Sequence, residues 1–425
     1  MLAGFAAGTR SNNVRDLVVR RTSLQFVRAC TCTREAMLHS RKPRTFVSPG
    51  SGDASPGEIA RRTDGRAPCE PVVAQTIAAI PPSRATNASQ RTETAYDLGM
   101  TVADSLLLLD DVQRARERIG DRLHRTPLLP SATMSTRIGA DVCFKAELFQ
   151  RTGSFKPRGV LNKLATLSEE EKRRGVISIS AGNHAQALAY ASALEGIDAL
   201  IVMWQTASQL KIRAARGYGA TVDDSAPDIP SAFERLDELV ESTGRQLIHP
   251  YDDPLVMAGQ GTVGLEIVED APAPPDVVLV QVGGGGLVSG IATAVRSLLP
   301  QARVVAVEPQ LSRALHESLK ACEPVTVEAK SAADGLNGPY AGANCVRVCL
   351  DVGVESVLVT EEALFDAFRF MYTRTKLACE LAGAATAAAL LSGAVDLDGA
   401  ENIVAVVSGG NVDPKTAAAI LGSDQ

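Results

Sequence analysis

The stretch DVVLVQVGGGGLVSGIATAV, residues 276–295, carries the fold in its order of parts. Asp276 to Val282 is a nearly unbroken run of Val and Leu of strand length; Gly283, Gly284, Gly285 and Gly286 follow, then small and apolar residues at helical spacing. A strand that is apolar at successive positions is buried on both faces, which points to a parallel sheet covered by helices on either side. Working outward, the same kind of run recurs: GVISISA from 175, DALIVMW from 198, ATVDD from 220, RQLIHP from 245, RVVAVEP from 303, SVLVT from 356 and NIVAVVS from 402. ADVCFKAEL, from 140, reads as a strand by alternation. Helical patterns separate most of these runs: DDVQRARERI from 110, NHAQALAYASALEG from 183, QLKIRAARGYG from 209 and EEALFDAFRFMYTRTK from 361. KPRGVLNKLATLSEEEKRRG, 156–175, reads as one long amphipathic helix with basic residues near its end and a terminal glycine. The fold class is α/β, built on open, mostly parallel sheets.

Residues 1–99 are set apart. They open rich in Arg, Ser and Thr with almost no acids, and continue Pro/Gly/Ser-rich without hydrophobic period. The reading is a disordered or presequence-like extension that stays out of the fold, with Met100 as a natural start before an amphipathic helix. The expected location is cytoplasmic, or organellar if the extension is a genuine transit peptide. A formal net charge of -6 gives no reason to expect nucleic acid or an anionic membrane as partner. No apolar run approaches the ~20 residues that span a bilayer. The 8 cysteines match neither a CxxC pair nor a Cys/His zinc spacing, and are expected as reduced thiols.

Four consecutive glycines opening a helix expose successive N–H groups at the positive end of the helix dipole, an anion cradle suited to phosphate. A dinucleotide site is the competitor, and Glu308 at the end of the next run stands where its ribose-binding acid would be. The GxGxxG spacing fails, however: from Gly284 the third glycine position is Ser289, and from Gly283 it is Val288.

The second decisive stretch is GSFKPRG, 153–159. Proline after Lys156 restricts the backbone, and the flanking Gly153 and Gly159 permit close approach, so this lysine is held in place. A lysine amine forms Schiff bases with carbonyls, and a phosphate-bearing aldehyde joins the lysine to the glycine loop: pyridoxal 5′-phosphate (PLP). Ser180-Ala181-Gly182-Asn183-His184, between a strand and a helix, would present N–H groups to a carboxylate, and Ser408 in NIVAVVSGGN could meet a ring nitrogen. All of these lie at strand ends, where open parallel sheets bind ligands.

In order, GSFKPRG, SAGNHAQ, HPYDDPLVMAGQGTVGLE, VGGGGL and SGGN resemble the PLP-dependent threonine/serine dehydratases of fold-type II, a branch that includes serine racemase, over about residues 104 to 420. The resemblance implies two open α/β domains of the tryptophan synthase β-like kind with the cofactor in the cleft between them. The large PLP-binding domain would comprise 100–172 and 253–425, and the small domain 173–252. It implies that Lys156 carries the cofactor and serves as the catalytic base, that Phe155 packs beside the ring and that Asn183 reaches the ring hydroxyl. Gly283, Gly284, Gly285, Gly286 and Leu287 would hold the phosphate, Ser408 would meet the pyridine nitrogen, and Ser180, Ala181, Gly182, Asn183 and His184 would hold the substrate carboxylate. The reaction implied is removal of a Cα proton from L-threonine or L-serine and loss of the β-hydroxyl, giving a 2-oxo acid and ammonia, in a homodimer or homotetramer. A neutral amine is needed, so burial or a nearby cation should depress the pKa of Lys156.

The departures matter. Racemase members carry a serine where this chain has Ala181, so proton delivery to the second face of Cα is not expected. Their divalent-cation site starts at a Glu like Glu308 with an acid six residues on; that position here is Ala314, so no such site is expected, and Glu308 reads as a strand-end residue facing water. MWQTAS (203–208) lacks the family's prolines, and Glu380-Leu381-Ala382-Gly383 stands where Glu-Pro-x-Gly is usual; both leave the preferred substrate open. The chain ends soon after SGGN, which matches an unregulated, catabolic type. The alternatives are a racemase, a dehydratase of another β-hydroxy amino acid, and a non-enzymatic PLP-binding amino-acid sensor.

Overall fold

The computed structural model describes residues 106–423; the extension at 1–99 and the start at Met100 lie outside the described residues. Ten strands are present among them: β1 Leu128–Pro130, β2 Asp141–Ala146, β3 Val176–Ile179, β4 Ala199–Trp204, β5 Thr221–Ala226, β6 Gln246–Leu247, β7 Val277–Gln281, β8 Arg303–Pro309, β9 Glu355–Val359 and β10 Asn402–Val407. They form a six-stranded sheet in the order β1-β2-β10-β7-β8-β9 and a four-stranded sheet in the order β5-β4-β3-β6. Every pairing is parallel except β1 with β2. The strands of the smaller sheet follow one another without leaving residues 176–247.

The inner strands of the large sheet, β2, β10, β7 and β8, are buried on both faces, which explains their unalternating runs. Val277 and Leu279 of β7 pack with Ala384, Ala385 and Ala388 of the helix Leu381–Leu391. Val278 and Val280, pointing the other way, pack with Ile291, Ala292 and Val295 of the helix Gly286–Leu298. β2 is buried along its length after Asp141 rather than alternating with water, because it lies between β1 and β10.

One expected element is two. The helix that starts at Pro157 stops at Leu164, and a second runs Glu169–Arg174. Ser168 restarts it with a capping box, its hydroxyl accepting from Glu171 N while the Glu171 carboxylate accepts from Ser168 N. The acid-then-base charge order in EEEKRR suits the dipole of this short helix alone.

The order of the large sheet puts the later chain in the middle: β10 pairs with β2 from Asn402↔Asp141 to Val407↔Ala146, and with β7 on its other edge. The loops leaving the carboxyl ends of β2, β10 and β7 therefore sit side by side. They carry Lys156, Ser408 and the four glycines.

Candidate active site

Lys156 is the residue just before the helix Pro157–Leu164, whose first position is the proline. Its backbone is already in the right-handed helical region, so the side chain leaves the helix start at a fixed angle. The amine donates to Pro250 O at 2.8 Å, just past β6. Burial drives its pKa down to about 8 from the usual lysine value, against the raising influence of Cys345 and Glu380. The depression comes from burial, not from a neighbouring cation. The two imidazoles near the amine, His184 and His249, are held neutral, each pushed down to about 3, first by burial and then by the charge of Lys156.

The segment before the lysine is tied to the segment after β10. Phe155 N donates to Ser408 O at 3.1 Å, Gly410 N to Gly153 O at 2.9 Å, and Ser154 faces Gly409 in an isolated antiparallel bridge. Thr152 adopts a positive φ of 62°, the only described residue between β2 and Lys156 besides Gly153 to do so. Phe155 packs against the apolar cluster that holds Leu287. The Ser408 residue is 4% exposed, and the fully buried Ser154 hydroxyl has no partner among the described residues.

The glycine loop is narrow for a visible reason. A Cβ on Gly284 would lie 2.5 Å from Cδ1 of Tyr251, one on Gly285 2.7 Å from Cβ of Cys345, and one on Gly286 2.8 Å from Tyr251 O. Gly285 also has φ 102°, open to glycine alone at low cost. Gly284 O accepts from Gly342 N, yet the N–H groups of Gly283 to Gly285 find no backbone acceptor among the described residues. Those of Gly286 and Leu287, the first two of their helix, lack an intrahelical partner by construction. This is a cradle of donors at a helix N-terminus with no acidic residue in the first turn.

Asn183 brings the smaller sheet into the site. It opens the helix Asn183–Glu195 after β3, donates to Glu380 Oε1 at 2.6 Å, and accepts from Asn411 Nδ2 at 2.8 Å. Asn411 Nδ2 also donates to Thr152 O at 2.7 Å. Glu380 is buried, and burial pushes its carboxyl up to about 7. Around Ser180 the expected donors are partly taken: Ser180 N donates to Val202 O, and Gly182 N to Ser180 Oγ. Ala181 and Gly182 are half-buried. His184 turns inward, with Nε2 3.1 Å from Ser178 Oγ and 3.2 Å from Ile248 O, so its side chain belongs to the small sheet's core.

Glu308 does not face water. It is fully buried at the end of β8, and its carboxylate accepts from Leu315 N at 2.9 Å and His316 N at 2.7 Å, the second and third residues of the helix Ala314–Ala321. Position 308 is a helix anchor because β8 lies inside the sheet and the helix start needs acceptors. Burial raises its pKa to about 8. A carboxyl whose folded pKa is raised binds its proton more tightly when folded, so its stabilisation is full below the ordinary carboxyl pKa and is lost as pH climbs through about 8. Glu380 has the same sign with its window ending near 7. Urea midpoints should therefore fall from pH 6 to pH 8.5 in the unaltered chain and fall less in Glu308→Gln; equal falls would show that Glu308 is ionised throughout.

Residues 119–409 match the family described as pyridoxal-phosphate dependent enzyme. The chain belongs to this family. An L-threonine ammonia-lyase of Thermotoga maritima is 40% identical over 309 residues, 72% of this chain and 76% of that protein. The catabolic L-threonine dehydratase TdcB of Staphylococcus aureus is 41% identical over 312 residues, 72% of this chain and 90% of the relative. Among solved structures, maize serine racemase superposes with a TM-score of 0.70 at 34% identity, over 73% of this chain and 95% of the racemase. A threonine deaminase from T.th. gives 0.68 at 40% identity, over 72% of this chain and 99% of the deaminase. Fold-type II architecture and a PLP cofactor are thus properties of this protein. The residues fit the cofactor: the Gly283–Leu287 donors suit a phosphate, and Lys156, with its depressed pKa, suits an aldehyde.

Sequence reading singles out the lysine, the cradle, Asn183 and Ser408, and carries Tyr251-Asp252-Asp253 only as part of a longer motif with no role of its own. In the structure Tyr251 walls the glycine loop, and Asp252 accepts from the N–H groups of Asn344 and Cys345, fixing the helix Ala343–Asp351 beside it. Asn411, which follows SGG in that motif and carries no role there by sequence, is the pin between Thr152 and Asn183.

Proposed function

We propose that the protein is an ammonia-lyase that dehydrates L-threonine or L-serine. The carrying observation is Lys156, half-buried, with its amine at Pro250 O and a pKa drawn down to about 8, beside a donor cradle for phosphate. The bound cofactor supplies a conjugated ring into which electrons flow when the Cα–H bond of an amino acid is broken. Lys156 is the base that removes that proton, and its lowered pKa keeps a useful fraction neutral near pH 7.5. Gly283, Gly284, Gly285, Gly286 and Leu287 would hold the phosphate, Phe155 would lie against the ring, and the Ser408 hydroxyl would meet its nitrogen. Asn183, held by Glu380 and Asn411, keeps one donor hydrogen for the ring hydroxyl. The Ala181, Asn183 and His184 N–H groups are the ones left to receive the substrate carboxylate. Supporting the division of labour between two lobes is the separation of the sheets: 173–252 as the small domain, 100–172 and 253–425 as the large one. The assembly proposed on the same resemblance is a homodimer or homotetramer.

Ala181 favours elimination over racemisation, since it has no proton to give the second face of Cα. Incubation with L-serine should yield pyruvate and ammonia while recovered serine stays L. Ala181→Ser should add measurable D-serine. Racemic serine from the unaltered chain would displace the dehydratase reading in favour of a racemase.

A further inference from the structure

Two residues past the reacting lysine, Arg158 is 2% exposed, on the far side of the same helix start. Its guanidinium forks onto two buried carboxylates. Nε and Nη2 donate to Glu147 at 2.9 and 2.8 Å, and Nη1 and Nη2 to Glu266 at 2.7 and 2.9 Å. Lys145, fully buried on β2, donates to Glu266 Oε2 at 2.6 Å and to Thr126 O at 2.7 Å, and the Thr126 hydroxyl closes onto Glu147. Two cations and two carboxylates thus join the end of β2, the lysine helix and the helix Pro254–Asp270 in one network, which Lys145 extends to Asp270 at 3.7 Å. Burying four charges is not the cheapest way to stabilise a core, since apolar side chains of similar volume often serve as well or better. What such a network adds is geometry: the planar fork accepts few orientations.

A second contact presses the same helix start. A Cβ on Gly159 would lie 2.6 Å from Val256 O, and one on Gly259 2.5 Å from Gly159 Cα, so the two helices touch backbone to backbone. The glycines set how close the lysine helix lies to the helix Pro254–Asp270; they do not set its rotation. Rotation is the coordinate that aims the Lys156 side chain at Pro250 O, four residues before that helix.

We propose that Arg158 is a positioning residue for Lys156, fixing the rotation of the lysine helix through the Glu147–Arg158–Glu266–Lys145 network. The inference rests on the reading of Lys156 as the reacting amine. Arg158→Lys keeps the charge and removes the fork. In the purified holoenzyme, kcat for L-threonine should fall about 10- to 100-fold while KM stays within about threefold, because the misplaced group is the base and not the substrate's contacts. Visible circular dichroism of the bound cofactor should change in amplitude, since it reports the cofactor's orientation. Glu147→Gln, isosteric and leaving Arg158 in place, keeps the test open should Arg158→Lys fail to fold, and should move both readouts the same way by a smaller amount. Val112→Ala, whose side chain packs against Gly261 of the neighbouring helix, serves as control: it should lower the thermal midpoint and leave kcat and dichroism alone. If Arg158→Lys and Glu147→Gln lower only the thermal midpoint, as the control does, the network is structural and the proposal fails. Absence of a cofactor band in the unaltered chain would instead overturn the reading of Lys156, and this inference with it.

Discussion

Lys156→Ala is expected to abolish turnover of L-threonine and L-serine, with a loss of at least about 10²–10⁴-fold from the missing base alone. The loss should exceed that, because the proposed function makes the same side chain the covalent anchor for the cofactor aldehyde. No second group among the described residues stands ready to replace it: His184 and His249 are buried and neutral, and His184 already serves Ser178 and Ile248. The nearby carboxyl, Glu380, has its pKa pushed up to about 7 and is hydrogen-bonded to Asn183. The substitution itself should be well tolerated by the fold, since the helix start is defined by Pro157 and by the Arg158 fork. The assay is steady-state release of 2-oxo acid, alongside the thermal midpoint. A variant within tenfold of the unaltered rate would remove Lys156 from the chemistry.

The next largest effect is expected at the glycine loop. Gly284→Ala would place a methyl 2.5 Å from Cδ1 of the Tyr251 ring, and that ring is itself backed by the rings of His249 and Tyr340, with centroids 4.7 and 6.2 Å away. Neither the ring nor the loop can yield without the other moving. Overpacking of this kind costs about 1–3 kcal/mol, a roughly 5- to 150-fold weakening if the strain falls on the cofactor-bound loop. Gly285→Ala adds a backbone penalty at φ 102° to a clash with Cys345, and should weaken binding at least as much. Cofactor dissociation constants, from titration of the cofactor-free variants with PLP, read this directly. The amount of Lys156-dependent chemistry per bound cofactor should change much less than affinity. Unaltered affinity in both variants would mean that the phosphate is held elsewhere.

Much of this was legible because burial writes itself plainly into a parallel sheet. β7, β8 and β10 are almost continuously apolar, since helices cover both faces; β7 and β10 end where glycine or serine begins the functional loop, and β8 ends at the buried acid that anchors a helix start. The break between Leu164 and Glu169 was not legible, because the amphipathic pattern continues through it and only the Ser168–Glu171 capping box reveals the restart. Glu308 misled for another reason: an acid at a strand end faces water only if nothing packs over that end, and here a helix start does. The inward turn of the His184 side chain was not legible either: the loop pattern speaks for its N–H group, while the imidazole, at the second position of its helix, turns back to β3. The Asn183–Glu380 contact joins residues 197 apart, and no local pattern announces such a pair. Both residues are tied to the loop after β10, Glu380 N donating to Gly409 O and Asn411 Nδ2 to Asn183, so the pair forms only once the distant segments have come together.

The most direct measurement is the visible absorption of the purified full chain, recorded before and after addition of L-threonine while 2-oxobutanoate is quantified. The expected result is a band from cofactor linked to Lys156, perturbed on mixing and accompanied by stoichiometric 2-oxobutanoate and ammonia. The same band should be absent in Lys156→Ala. A chain that shows no band, even after incubation with PLP, would contradict the assignment of both the lysine and the cradle.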